Sequence, residues 1–549
     1  LPSPTFDHFK RASMEIAAHG DNDTLPFDID TKFCGDKAKE LAHIAFEFYD
    51  NLKKGPLKEN SRKITALDVF SERLIAPSGP AGFRVITKIH PFWNIYFNGL
   101  GIAIAEKLEP LRSPRTFSYR FKSNGDTELF DSEYSWRKYK QTTIEKSLLS
   151  GTEAVVVQTD ISSFYNQLSH HHIENFISDL GNNGSIVAKQ INALLGKFSA
   201  GRSFGLPVGG QGSRILAELF LKYVDDAMTS AGIEWYRYVD DYVFIAKTYA
   251  EAYKALSTLA HSLANYGLTI NKTKTVFLSA KNYVDYVSAQ LGDHDEESSK
   301  LRTIDLRFDP YSDTPREDYE TLKETVESLE IRRLLNRELE KSIPDSFLIT
   351  QIGRTMRLQE PIVALELAST LLNVHNIHAF RSSWSTIMRG IFYLRSDKNF
   401  LSISAGIDNL IDQIIFNAAH LLEVDTNLLH FLRCLRFQNN PTRSKFIHDL
   451  YIQTNSETIK RACIDCWRYW HDRNAFTELR NKWSRLDKNS QRLLWLASYK
   501  FGDQGNGMRA QLKANSETSW LLGIENHELD GPQFSKVFLD WAAGAANAV

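Results

Sequence analysis

Glu234-Trp-Tyr-Arg-Tyr-Val-Asp-Asp-Tyr-Val-Phe-Ile-Ala246 is the stretch on which the reading of the whole chain turns. Aromatic and β-branched residues, the usual composition of strands, lie on both sides of Asp240 and Asp241. Two strand-like arms around an acidic pair predict a β-hairpin with the carboxylates at its tip. Carboxylate oxygens are hard ligands suited to Mg²⁺. Two such ions about 3.5–4 Å apart are the general device for in-line phosphoryl transfer.

The same four letters occur upstream as Tyr223-Val-Asp-Asp226. There the apolar residues Ile215, Leu216, Leu219, Phe220, Tyr223, Val224 and Ala227 recur at helical spacing. The expectation is an amphipathic helix with Asp225 and Asp226 on its solvated face. Period alone separates the two copies.

Upstream of both, Ala154-Val-Val-Val-Gln-Thr-Asp160 reads as a strand ending in a carboxylate. An isolated Asp there could equally cap a helix. Neighbouring strands of one sheet would instead bring Asp160 to Asp240 and Asp241. Gly205-Leu-Pro-Val-Gly-Gly-Gln-Gly-Ser213 lies between them and opens onto the helix. Glycines let backbone approach a ligand closely, and helix N-termini attract phosphate; the plain alternative is a turn. His170, His171 and His172 are consecutive and cannot all face one ion from a helix, so they read as solvated or capping residues.

Toward the N-terminus, residues 1–75 are mostly helical in pattern, as in Asp36 to Asn51, and form an N-terminal extension. Phe83 to His90 alternates like a strand and places Arg84 and Lys88 on one side. Pro91 to Pro110 reads as one helix, and Phe117 to Phe121 as a short strand carrying Arg120. Downstream of the hairpin come a helix, Tyr249 to Tyr266, and a lysine-rich turn and strand, Gly267 to Phe277. Lysines there are either solvated or placed to meet a leaving anion. From about residue 315 helical periodicity runs almost unbroken, for example over Asp318 to Ser342, Ile362 to Leu372, Ile407 to Leu422, Ser456 to Arg473 and Ser490 to Phe501. Trp467, Trp470, Trp483, Trp495 and Trp520 read as helix-packing core rather than a base-stacking platform.

A length of 549 residues implies two or three domains. Lys and Arg number 65 against 67 Asp and Glu, a net charge of −2. That excludes a broad basic surface gripping a long duplex; any nucleic-acid groove is local. The four cysteines, Cys34, Cys434, Cys463 and Cys466, make no disulfide framework and fit a reducing cytoplasm. Cys463-Ile-Asp-Cys466 is a lone pair in a helical context, read as packing rather than a zinc site. With no apolar run of membrane length, no membrane partner is expected.

In this order and spacing, the strand end at Asp160, the glycine loop, the Tyr238-Val-Asp-Asp241 box and Leu268-Thr-Ile-Asn-Lys-Thr-Lys-Thr275 resemble a reverse transcriptase over about residues 80–290. Thr159-Asp-Ile-Ser-Ser-Phe-Tyr165, Gly205-Leu-Pro-Val-Gly209 and Ser213-Arg-Ile-Leu-Ala-Glu218 look more narrowly like the abortive-infection (Abi-type) enzymes of bacterial antiphage defence. Retroelement enzymes usually have Gln and Pro where this chain has Val208 and Arg214, which points away from processive template copying.

The resemblance implies an α+β fold: a right-hand polymerase with fingers and palm over residues 76–300, then an all-α, HEAT-like helical-repeat domain over 301–549. It implies two Mg²⁺ ions, or Mn²⁺, on Asp160, Asp240 and Asp241, with the Ile161 carbonyl as a further ligand. Tyr165 matches a steric gate favouring dNTPs. Arg84 and Lys88 match triphosphate-holding fingers cations, with Arg120 a weaker match. Val208 and Gly209 line the nucleotide pocket, and Lys274 faces pyrophosphate. Some Abi-type members start from a protein hydroxyl without a template, leaving single-stranded DNA covalently attached; Tyr49 is the candidate primer. Alternatives are a templated enzyme working on a dedicated noncoding RNA, an RNA polymerase, which Tyr165 disfavours, and a non-enzymatic RNA-binding scaffold. A homo-oligomer is also within the family's range.

Overall fold

The structure is a computed structural model that describes residues 1–79, 81–123, 128–291, 296–304, 315–327, 329–525 and 532–545. Strands β1 (Ser71–Ser78) and β2 (Gly82–Ile89) form an antiparallel hairpin. A separate sheet holds β3 (Val155–Asp160), β4 (Trp235–Tyr238), β5 (Asp241–Ala246) and β6 (Val276–Ser279) in the order β4-β5-β3-β6, every pair antiparallel.

This sheet explains its own near-continuous apolar sequence, because both of its faces are covered. Trp235, Val155, Val157, Tyr242 and Phe244 enter one hydrophobic cluster. Their neighbours in sequence, Tyr236, Val156, Val243 and Ile245, enter a second. Side chains alternate across a strand, so each cluster is one face. The helix Tyr249–Ala264 packs on β3 and β5, and the helices Trp136–Leu149 and Ala280–Leu291 also pack on the sheet.

The N-terminal helices do not stand apart. Phe6–His19 and Ala38–Lys54 pack on the long helix Pro91–Leu108, whose residues are almost all buried. Leu57–Ala66 packs on Gly184–Phe198.

The described residues beyond 315 are helical, with no strand among them. Ser346–Thr355, Trp384–Ser396, Asp425–Leu435, Glu457–Trp470 and Lys488–Ser498 stack in that order, each on the next. Pro361–Leu372, Ser404–Asn417 and Pro441–Gln453 make a second row in the same manner. This array docks on the β1–β2 hairpin: Asp425 accepts from the Ile75 amide at 2.6 Å and Glu72 from the Thr458 amide at 2.9 Å. Trp467, Trp483, Trp495 and Trp520 are buried in its core, with Trp470 half-buried. Cys463 and Cys466 are buried on Glu457–Trp470. Together these parts make the α+β architecture of a polymerase palm and fingers followed by an all-helical region.

Three local expectations need correction. Phe117 to Phe121 is not a strand; only isolated bridges form at Thr116 and Phe121, because Tyr119 takes a left-handed backbone with φ +48°. Asp318 to Ser342 is not one helix but two, Pro315–Glu327 and Ile331–Leu339. Asp225 is not solvated: it is 3% exposed, whereas Asp226 pairs with Lys222 at the surface. The helix Gln211–Ser230 is packed upon by Pro91–Leu108, His170–Ser178 and Tyr249–Ala264, so its apolar stripe understates its buried arc.

Candidate active site

Asp160 and Asp241 are paired directly across β3 and β5. Asp240 sits beside them in the two-residue turn that joins β4 to β5. Three carboxylates from segments 80 positions apart thus meet at one sheet end.

The turn is strained and heavily braced. Val239 has φ +55°, a conformation that β-branched residues avoid. Its amide donates to Ser118 Oγ at 2.9 Å, and its carbonyl accepts from Arg237 Nη1 at 2.7 Å. Arg237 is fully buried and ion-paired with Glu218 at 2.9 Å and Asp225 at 2.7 Å. Tyr242 donates to Asp225 at 2.8 Å. The upstream acidic pair therefore supplies a buried anchor for the hairpin that bears the downstream one.

A second brace comes from residues 267–275. The Asn271 amide donates to the Asp160 carbonyl at 2.8 Å and the Ser162 amide to the Thr269 carbonyl at 2.8 Å; beside them the Ile161 amide donates to the Asp240 carbonyl of the turn at 3.3 Å. Lys274 Nζ then reaches Asp160 Oδ2 at 2.6 Å while staying largely exposed.

The electrostatics follow from crowding like charges in a half-desolvated place. Burial first, then Asp241 and Asp160, push the Asp240 carboxyl up to about 7. Burial raises Asp241 also, against the pull of Lys140. Lys140 itself is brought down to about 8 by burial, among the rings of Tyr139, Trp136 and Tyr283. Asp160 Oδ1 is buried without a hydrogen-bond partner. Among the described residues no three His, Cys, Asp or Glu side chains already stand in metal-ligand geometry. The donor set nonetheless fits a hard divalent cation: three carboxylates, one with an orphan oxygen. To hold such an ion, Asp160 would exchange Lys274 for it.

The glycine loop is strapped to the segment after β3. Leu206 donates to the Tyr165 carbonyl at 2.9 Å and Gly205 to the Leu168 carbonyl at 2.8 Å. Tyr165 is driven well above its ordinary range by burial and by Tyr119, and Asp240 adds to the shift. Val208 is half-buried at the core's edge. Gly209 has φ +103°, and a Cβ there would sit 2.8 Å from the Asn22 Cβ.

Four sequence-derived assignments change. Lys88 is 4% exposed and clamped in ion pairs with Asp21 and Asp28; a segment some 60 residues upstream covers it, so it is an internal anchor. Arg120 is folded back on Glu109 at 2.6 Å and on the Ser113 carbonyl at 2.8 Å, which removes it from the pocket. Tyr49 is 1% exposed in the core against Phe9 and cannot prime from there. Of the three histidines only His171 is exposed as expected; His170 is buried with Nε2 2.7 Å from the Gly205 carbonyl, and His172 packs among Phe176, Phe220 and Tyr266. Of the predicted cations, Arg84 stays half-exposed and Lys274 exposed.

One residue of the site was not recognised in the sequence. Arg214, in the first turn after the glycine loop, lies with its guanidinium 5.0 Å from the Tyr119 ring centroid. Burial opposes its charge, but Tyr119, Asp23 and Tyr165 outweigh burial and raise its pKa. The departure from Pro at this position was the available signal.

Residues 94–291 match the family profile described as reverse transcriptase (RNA-dependent DNA polymerase). Over those residues the chain carries a reverse transcriptase domain. Solved structures similar to it include telomerase from Candida albicans in complex with a TWJ fragment of telomeric RNA. That alignment has 11% identity over 63% of this chain and 67% of that one, with a TM-score of 0.30. Apo telomerase from Candida tropicalis gives 12% identity over 66% of this chain and 67% of that chain, TM-score 0.31. Its form truncated from the C-terminal domain gives 14% over 42% and 55%, TM-score 0.29. No curated protein matches the chain. No helix among the described residues is long and apolar enough to cross a membrane.

Proposed function

We propose that the chain is a DNA polymerase of reverse-transcriptase type that joins dNTPs by two-metal nucleotidyl transfer in bacterial antiphage defence. The observation that carries the chemistry is the placement of Asp160 opposite Asp241, with Asp240 in the adjoining turn. Asp160, Asp240, Asp241 and the Ile161 carbonyl would hold two Mg²⁺ ions, which would supply activation of the attacking hydroxyl and charge neutralisation of the departing pyrophosphate. Tyr165 walls the sugar site and favours dNTPs. Val208 and Gly209 border the base, and Lys274 supplies charge or a proton to the leaving group.

The defence role rests on the Abi-type motifs and on the helical region after residue 315, read as a HEAT-like array because alternate helices stack in two rows. Untemplated, protein-primed synthesis follows from the same likeness, with the primer a tyrosine other than the buried Tyr49. Purified protein is given each labelled dNTP with Mg²⁺ and no primer or template, and products are run with and without protease. Label that migrates with protein and shifts on proteolysis supports priming from a side chain. A product that forms only when RNA is supplied contradicts it, and the enzyme is then a templated one using a noncoding RNA.

A further inference from the structure

The glycine loop, the β1–β2 hairpin and the helical array all converge on Asp23. Asp23 Oδ2 accepts from Arg214 Nη2 at 3.0 Å, and Oδ1 stands 3.8 Å from Arg84 Nη2. The same Oδ1 would be 2.9 Å from a Cβ on Gly209. The Asp23 carbonyl accepts from Arg389 Nη2 at 3.3 Å. A cavity of about 580 Å³ opens beside it, lined by Gly209, Arg214, Arg354, Arg357 and Arg389 among others.

Two guanidinium groups from separate elements, Arg84 on β2 and Arg214 in the first turn of a 20-residue helix, match the chemistry of a phosphate group. The carboxylate between them is held loosely. Its side chain is 43% exposed and has one close ion pair. The backbone around it is held tightly. Asp21 is buried against Lys88, the Asp21 carbonyl accepts from Asn94 at 3.3 Å, and the Thr24 carbonyl meets His430 Nε2 at 2.8 Å. A rotation of the Asp23 side chain therefore opens the pair of arginines without moving the segment.

We propose that Arg214 joins Arg84, the cation already matched to the triphosphate by the family resemblance, in holding the incoming nucleotide, and that Asp23 is an internal placeholder which the triphosphate displaces. This rests on the reading above, in which the neighbouring carboxylates carry out nucleotidyl transfer. The placeholder keeps two cations aimed at one point, and its competition sets how tightly nucleotide binds.

The test is equilibrium binding of a labelled dNTP with Ca²⁺ in place of Mg²⁺, competed by inorganic tripolyphosphate or by a single-stranded DNA oligonucleotide. Asp23→Asn tightens dNTP and tripolyphosphate binding about three- to fivefold, the scale of a partly exposed ion pair. Arg214→Gln weakens both about tenfold or more, as expected for loss of a charge-assisted bond. In the double variant the gain from Asp23→Asn disappears, because the two residues act on each other. The melting temperature of each variant is measured alongside, and Arg214→Lys supplies a conservative control that retains charge. Unchanged affinity in folded Asp23→Asn and Arg214→Gln overturns the proposal while nucleotidyl transfer stands. A shift confined to the oligonucleotide overturns it in favour of a DNA-backbone site. Absence of dNTP binding by the wild type overturns both readings.

Discussion

Lys274 Nζ lies 2.6 Å from Asp160 Oδ2, so the lysine matched to pyrophosphate is bonded to a carboxylate proposed as a metal ligand. The contact is at the surface on the lysine side and buried on the aspartate side, which makes it exchangeable. In the proposed metal site this contact would tie metal entry to release of Lys274.

Lys274→Ala frees Asp160 and removes the group facing the leaving pyrophosphate. The Mg²⁺ concentration for half-maximal activity falls, while kcat drops by about a hundredfold, the lower range for loss of acid–base assistance. A Mg²⁺ titration at saturating dNTP reads both quantities. An unchanged kcat removes Lys274 from the chemistry.

Asp240 gives the pH dependence. Its carboxyl is raised to about 7, above the ordinary 3.8 of the unfolded chain, so the native state holds a proton that the unfolded state has lost. In the absence of divalent cations its stabilising contribution is full below pH 4 and declines as pH rises toward 7. Divalent cations bind the deprotonated form. The rise in melting temperature caused by Mg²⁺ should therefore grow from pH 6 to pH 8. A rise that is the same at both values contradicts this.

The two halves of the upstream acidic pair differ sharply. Arg237→Met leaves Glu218 and Asp225 buried without their partner and costs about 3–5 kcal/mol, with incorporation lost as the Val239 turn relaxes. Asp226→Asn, at the surface, stays within about 0.5 kcal/mol. Urea denaturation of the two variants separates them, and equal effects would contradict the bracing of the hairpin by Asp225.

This contrast also shows where sequence reading reaches its limit. The acidic hairpin, its partner strand and the glycine loop were legible because each is announced within a few residues: alternating aromatic and β-branched side chains, a carboxylate at a strand end, glycines before a helical run. Asp225, Lys88 and Tyr49 were misread for one shared reason. Their own segments were assigned correctly, but what covers them comes from distant parts of the chain. Lys88 looked like an open fingers cation until residues 21–28 were seen folded over it. Phe117 to Phe121 failed differently, since five alternating residues do not reveal the left-handed backbone at Tyr119. The stacking order of the helical array had no signature, as its segments lack a strict repeat.

The Tyr165 carbonyl accepts from the Leu206 amide of the glycine loop at 2.9 Å, and the proposed gate role of its ring is testable. Tyr165→Ala should raise the use of NTPs relative to dNTPs by about tenfold or more, the range for removing a steric discriminator. Competition between labelled ATP and dATP measures it. Unchanged sugar discrimination takes Tyr165 out of the gate role.

The most direct test of the central claim compares wild type with Asp240→Asn, a change in an exchangeable ligand at the end of a braced hairpin. Incorporation of labelled dNTP in Mg²⁺ is measured after confirming that both proteins melt at similar temperatures. The account predicts that the folded variant incorporates nothing detectable. Wild-type incorporation by that variant would contradict the assignment of Asp160, Asp240 and Asp241 as the catalytic metal ligands.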